Sequence, residues 1–215
     1  MNDNDKSQNH LTTVRHFINA HKMLTPFVVL SLMTYYNYWG VLAWVYLGLH
    51  GTYCFLWMVK EYTFRDRRFE EGINPIAGFI FVFCILGAYW IAPYIIISNY
   101  LTAPNWLITL AIFITTLGIF YHYVSDAHKH AVLGIKKGLI TNGLFSRSRN
   151  PNYFGEMLIY SGLAMLAQHW IVLLPLIYWW SYFIRNMLIK DKSMSRYPEF
   201  KEWKKTTGLV IPRLY

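Results

Sequence analysis

Charge is scarce in this chain. Only 14% of its 215 residues are Asp, Glu, Lys or Arg, against 55% hydrophobic and 19% aromatic, which is too little polar surface to clothe a water-soluble globule of that length. Cysteine is scarcer still. Cys54 and Cys84 both fall inside apolar stretches, where a free thiol acts as a small hydrophobe, so neither a disulfide framework nor zinc-finger spacing is available. Residues 1–23, MNDNDKSQNHLTTVRHFINAHKM, lack the apolar core and small-residue cleavage site of a secretory signal. The chain is therefore expected to keep this segment and to insert through its own spans. With no internal repeat, low-complexity segment or dividing linker, residues 1–215 read as one membrane domain.

Long apolar stretches are plentiful, near 26–59, 76–100, 104–124, 153–168 and 170–189. Each of the last four approaches the ~20 helical residues that cross a bilayer core, given some tilt or thinning. The first is either one long span or two helices turned near YNYWG. The sequence thus predicts an all-α, multi-pass membrane protein with about five or six transmembrane helices. Pro93 and Pro175 lie inside spans, where neighbouring helices and water satisfy the freed carbonyls.

The charge is unevenly placed. Segment 125–150 carries Lys129, Lys136, Lys137, Arg147 and Arg149 against one acid, and segment 185–215 carries eight Lys/Arg against three acids. The positive-inside rule puts both in the cytoplasm, with 152–189 dipping into the membrane and returning. Segment 60–74, two spans earlier, falls on the same side with balanced charge. Attraction to anionic lipid explains such a basic face, and so does a phosphate-bearing cofactor.

SRNPNYFGE at 148–156 stands directly before MLIYSGLAMLA, which reads as the inside of a membrane helix. A carboxylate there costs roughly 2.5–3.5 kcal/mol near mid-bilayer, so Glu156 needs a partner or a task. Pro151 suits a first helical turn, with Asn150 or its neighbour as cap, and places Asn152, Glu156 and Tyr160 on one face. A Glu/Asn pair suits the acceptor and donor of a nicotinamide carboxamide. Arg147, Arg149, Arg185, Lys190 and Lys192 lie near the same boundary as donors to phosphates and ribose. An ion pair of Glu156 with Arg149 or Arg185 that merely ties helices together remains open.

Two more groups carry chemistry. HYVSDAHKH at 122–130 puts His122, Asp126 and His130 at helical spacing beside His128. Metal chelation is possible there in principle, but the chain's eight histidines are too few for a membrane di-iron enzyme, and no metal is expected. His50 and Tyr53 in LGLHGTYCFLWMVKEY fall at membrane depth. A positioned Tyr or His in a dry site can stabilise the oxygen anion that develops when hydride adds to an activated C=C, while packing remains the plain alternative for Tyr53.

GLITNGLFSRSRNPNYFGEMLIYSG together with the tail RNMLIKDKSMSRYPEFKEWKKTTGLVIPRLY resembles the C-terminal half of the membrane steroid 5-alpha reductases and sterol reductases. Their superfamily also holds the isoprenylcysteine carboxyl methyltransferases. The resemblance covers roughly residues 118–215, through Gly-Leu-Phe at 143–145, Asn-Pro-Asn-Tyr-Phe-Gly-Glu at 150–156 and a final Ile-Pro-x-x-Tyr at 211–215. Residues 1–117 match loosely, through HGTY at 50–53, and are expected to face substrate. The acidic Glu156 is similar to the reductases, and Lys190-Asp191-Lys192-Ser193 stands where the methyltransferases commonly carry a Glu-Glu pair. Pro151 and Asn150 do not separate the branches.

The resemblance implies NADPH as cofactor, a cofactor-binding half at 118–215, and Asp126, Arg147, Arg149, Asn152, Tyr153, Glu156, Arg185, Lys192 and Tyr197 as its contacts. It also implies Tyr53 and His50 as catalytic residues. The expected activity is hydride transfer to a conjugated C=C of a steroid, sterol or other lipid-soluble substrate. The expected partners are that substrate and membrane lipid rather than nucleic acid. The alternatives are an S-adenosylmethionine-dependent methyltransferase and a catalytically silent lipid-binding scaffold.

Overall fold

The computed structural model describes residues 12–213. Residues 1–11 of the segment expected to be kept, and Tyr215 of the Ile-Pro-x-x-Tyr ending, lie outside the described residues. The described residues are helical, without strands beyond two isolated bridges. The long helices are α1 (Val14–Tyr35), α2 (Val41–Thr63), α3 (Pro75–Ser98), α4 (Asn105–Ile135), α5 (Pro151–Leu166) and α6 (Leu173–Met194), followed by a short α7 (Phe200–Thr206). Among the described residues, four stretches are long and apolar enough to cross a membrane: α2, α3, α4 and Trp170–Met194, which contains α6. The ambiguous first stretch takes the two-helix form. Its turn lies at Tyr36–Gly40, where Asn37 takes φ 50°, a left-handed value that Asn tolerates.

Prolines and caps place the helix starts. Asn74 caps α3 through Oδ1, which accepts from Ile76 N at 2.9 Å, with Pro75 at the first turn where no N–H is needed. Pro151 likewise stands in the first turn of α5, and Pro104 stands at the N-cap of α4. Pro175 occupies the first turn of α6 and removes no helical bond. Pro93 is different. It lies mid-helix, removes the bond to the Tyr89 carbonyl and presses on it, and just before it α3 leaves α geometry, through a π turn at Ile80–Ile85 and a 3₁₀ stretch at Leu86–Trp90.

The helices run between two ends of a bundle. At one end the turns meet: the Tyr38 hydroxyl donates to the Leu101 carbonyl, Tyr100 Oη to Tyr36 O at 2.9 Å, and Gln168 Nε2 to Thr102 O at 2.8 Å. At the other, Thr13 pairs with Gly72, Lys129 lies 3.8 Å from Asp66, and Ser148 pairs with Gly208. Among the described residues the chain makes six passes between these ends. The three turns of the first end fall within residues 23–59, 72–125 and 157–184, none of which contains Asp, Glu, Lys or Arg. Every charged residue among the described ones therefore belongs to the other end or to the helix portions reaching inward from it. Trp39, Trp44, Tyr100, Trp106 and Trp170 are exposed around the uncharged end, the placement expected of an interfacial aromatic belt.

α4 and α5 touch backbone to backbone. A Cβ on Gly118 would meet Gly155 O at 2.6 Å and Ile159 N at 2.7 Å, a Cβ on Gly155 would strike the His122 backbone, and one on Gly162 would meet Ala111 O at 2.9 Å. Small residues at this spacing let membrane helices approach closely. Gly155→Ala is expected to lower stability by about 1–3 kcal/mol, the range for overpacking. Gly134→Ala, whose Cβ meets nothing within 4 Å, is expected to raise it by about 0.4–1 kcal/mol. Unfolding of the detergent-solubilised variants measures both.

Candidate functional site

The α4–α5 contact fixes which faces of the bundle look at one another. α5 turns Asn152, Glu156 and Tyr160 inward at one-turn intervals, as the sequence predicts. α2 presents His50, Tyr53, Trp57 and Lys60 on one face, α4 presents His122 and Asp126, and α1 brings Lys22. The result is a buried polar layer on the charged side of the bundle. Lys22, 3% exposed, donates to Tyr160 Oη at 2.8 Å and stands 4.1 Å from the centre of the Tyr53 ring. The Tyr53 hydroxyl reaches Glu156 Oε1 at 3.5 Å, a long hydrogen bond. His50 Nδ1 lies 3.1 Å from Tyr46 Oη.

His122 has a defined tautomer when neutral. Its Nδ1 lies 3.2 Å from the Asn152 carbonyl, an oxygen that only accepts, so Nδ1 carries the proton and Nε2 keeps a lone pair. That Nε2, together with Asn152 Oδ1 and Asp126 Oδ1, is buried without a hydrogen-bond partner. One turn toward the charged end, Asp126 forms a buried ion pair with Lys60 and lies 3.9 Å from Lys129.

The residues expected at a cofactor fall in three places. Tyr53, His50, Asn152 and Glu156 share the buried layer, and Asp126 borders it. Arg149, 6% exposed, lies in a separate clasp: its Nε meets both oxygens of Asp191 at 3.1 and 3.0 Å, and a terminal nitrogen donates to Thr207 O at 2.8 Å. Asn150 occupies the N-cap position, yet its amide donates to Leu209 O at 2.9 Å and accepts from Lys190 at 3.1 Å, so it ties down the tail instead of capping α5. Tyr153 packs on Phe183 with ring centres 5.1 Å apart. Tyr197 packs with the cluster of Phe145, Phe200 and Trp203. Arg147, Arg185 and Lys192 are exposed. An ion pair of Glu156 with Arg149 or Arg185 does not form; Arg149 goes to Asp191, and Glu156 receives the Tyr53 hydroxyl instead.

Lys22 and Lys60 were not singled out from the sequence. Lys22 precedes the apolar stretch that begins at 26, and only the start of α1 at Val14 carries it into the bundle. The signal was a lone lysine in HKMLTPFVVL, two turns inside a helix that the hydropathy pattern began too late.

A model of a family described as a protein of unknown function, DUF1295, matches residues 11–207. The chain belongs to this family. The matched residues include α1 through α7 and therefore the whole polar layer and the Arg149 clasp. An uncharacterized protein of Schizosaccharomyces pombe is similar to this DUF1295 chain, at 34% identity over 55 residues. That match spans 26% of the chain and 18% of the yeast protein's length.

By donor type the layer fits a nicotinamide carboxamide: Glu156, His122 Nε2 and Asn152 Oδ1 accept, and the Asn152 amide N–H donates. The exposed Arg147, Arg185 and Lys192 suit phosphates. Arg149 is already satisfied by the clasp.

Proposed function

We propose that this protein is a membrane-embedded reductase that uses NADPH to reduce a conjugated C=C of a steroid, sterol or other lipid-soluble substrate. The observation that carries this reading is the half-buried Glu156 one turn from the buried Asn152, whose Oδ1, like the neighbouring His122 Nε2, has no hydrogen-bond partner. When bound, NADPH supplies the hydride. Glu156 and Asn152 would hold its carboxamide, Asp126 would lie toward its ribose or adenosine, and Arg147, Arg185 and Lys192 would meet its phosphates. Arg149 acts at one remove, fixing the turn from which α5 starts. His50 and Tyr53 lie in the same dry layer, where a hydroxyl or imidazole can stabilise negative charge on a substrate oxygen. The basic end of the bundle faces the cytoplasm, where NADPH is available.

Thermal unfolding of the purified protein tests the cofactor. NADPH at ~100 times its dissociation constant is expected to add about 2.7 kcal/mol to the native state and to raise Tm, while S-adenosylmethionine leaves it unchanged. The reverse preference would move the protein to the methyltransferases, and no shift with either would make it a silent scaffold.

A further inference from the structure

Lys22 and Tyr160 have no role in that scheme, yet they form a direct contact at the centre of the molecule. The Tyr160 oxygen accepts from the Lys22 ammonium at 2.8 Å, and the Tyr53 hydroxyl is directed to Glu156. Accepting from Lys22 leaves Tyr160 its own proton to give. An ammonium donating to a phenol oxygen also polarises the O–H bond and makes the phenol a stronger donor.

The surroundings indicate what receives that proton. Tyr160 lines a narrow crevice of about 10 Å³ between α3 and α6, with Tyr46, Tyr89, Ala88, Ala92 and Ala164 among its walls. The walls are aromatic or small and apolar, and none is charged. Tyr89 lies flat on Tyr160, with ring centres 3.7 Å apart and planes 7° apart, and it belongs to the 3₁₀ stretch that Pro93 loosens. Irregular turns inside a helix often coincide with functional movement. A flat apolar molecule that displaced the Tyr89 ring would take over its stacking position, with an edge toward the Tyr160 hydroxyl.

We propose that Tyr160 donates the hydrogen bond that holds the carbonyl oxygen of a flat, apolar oxo-lipid, that Lys22 is the residue that positions and polarises Tyr160, and that the lipid reaches it through the crevice between α3 and α6. This deepens the reductase reading and rests on its substrate class. It names Tyr160, in place of Tyr53 or His50, as the group at the substrate oxygen.

A trienone steroid absorbs to the red of tyrosine and tryptophan, and its band moves further to the red when its carbonyl accepts a strong hydrogen bond. Titrated with this probe, the detergent-purified full chain is expected to show that movement. Tyr160→Phe should abolish it and weaken binding about tenfold, as for one lost hydrogen bond. Lys22→Met should bind the probe with a smaller movement, Lys22→Arg should restore part of it, and Tyr53→Phe should keep it. Ala92→Phe leaves the Lys22–Tyr160 contact intact and fills the crevice, so it should block binding even if the polar variants fold poorly. An undiminished band movement in Tyr160→Phe, unchanged binding in Ala92→Phe, or no binding to the wild type would overturn the proposal. Probe binding with the expected variant pattern but no Tm response to NADPH would leave the oxo-lipid site standing and remove the reductase; an NADPH response without probe binding would do the opposite.

Discussion

Asp191→Ala is expected to destabilise the protein by about 3–5 kcal/mol, the cost of leaving a buried partner charge uncompensated. Asp191 is 6% exposed and receives Arg149 Nε on both oxygens, at 3.1 and 3.0 Å. Without it the guanidinium keeps Thr207 O at 2.8 Å and a marginal contact with Lys204 O at 3.5 Å, neither of which carries compensating charge. The loss should appear first in the tail. Arg149 N donates to Gly208 O at 2.9 Å, Gly208 N to Arg147 O at 3.0 Å, and Trp203 Nε1 to Phe145 O at 2.8 Å, so residues 200–213 are held by the same turn that carries the clasp. Limited proteolysis beside thermal unfolding reads this directly: Asp191→Ala should be cut within 195–213 at temperatures where the wild type is intact. Replacing both partners, Arg149→Met with Asp191→Leu, should recover much of the loss, because no unpaired charge remains. A double variant no better than Asp191→Ala would show that the clasp acts through its geometry and not its charge.

Glu156→Gln is expected to weaken NADPH binding by about 1.5–3 kcal/mol, the range for a hydrogen bond to a charged group, while keeping the shape of the side chain. The same change neutralises a carboxylate in the layer that also holds the buried Lys22, so some loss of stability without cofactor is also expected. The two effects are separable. Unfolding of the cofactor-free variant gives the structural part, and NADPH titration well below its melting range gives the binding part. A variant that melts early yet binds NADPH as tightly as the wild type would sink the cofactor role of Glu156 and leave it a structural one.

The two variants show why the candidate site was only partly legible. Asn152, Glu156 and Tyr160 share a face because they are one turn apart, and Pro151 marks where that turn begins; both facts are local. Arg149 stands three residues before Asn152 and was grouped with it for that reason. Its fold-level partner is Asp191, 42 positions away. Asp126 borders the polar layer, and its partner Lys60 stands 66 positions away. Neither pairing leaves a periodic mark.

What the sequence by itself determined is the helical, membrane-suited character of the chain, the approximate helix bounds and the concentration of charge toward one end. These follow from composition, from prolines at helix starts and from runs of apolar residues, each of which acts over a few turns. Tertiary structure alone decided which faces meet. The glycines at 118, 155 and 162 gain their role only where α4 and α5 touch through them. Lys22 becomes a central residue only because α1 packs on α2 and carries it to Tyr160, 138 positions away. A helix pattern specifies which side is apolar or polar, but a buried ammonium, carboxylate or imidazole is stabilised by whatever group the opposing helix presents, and that identity is a property of the packing.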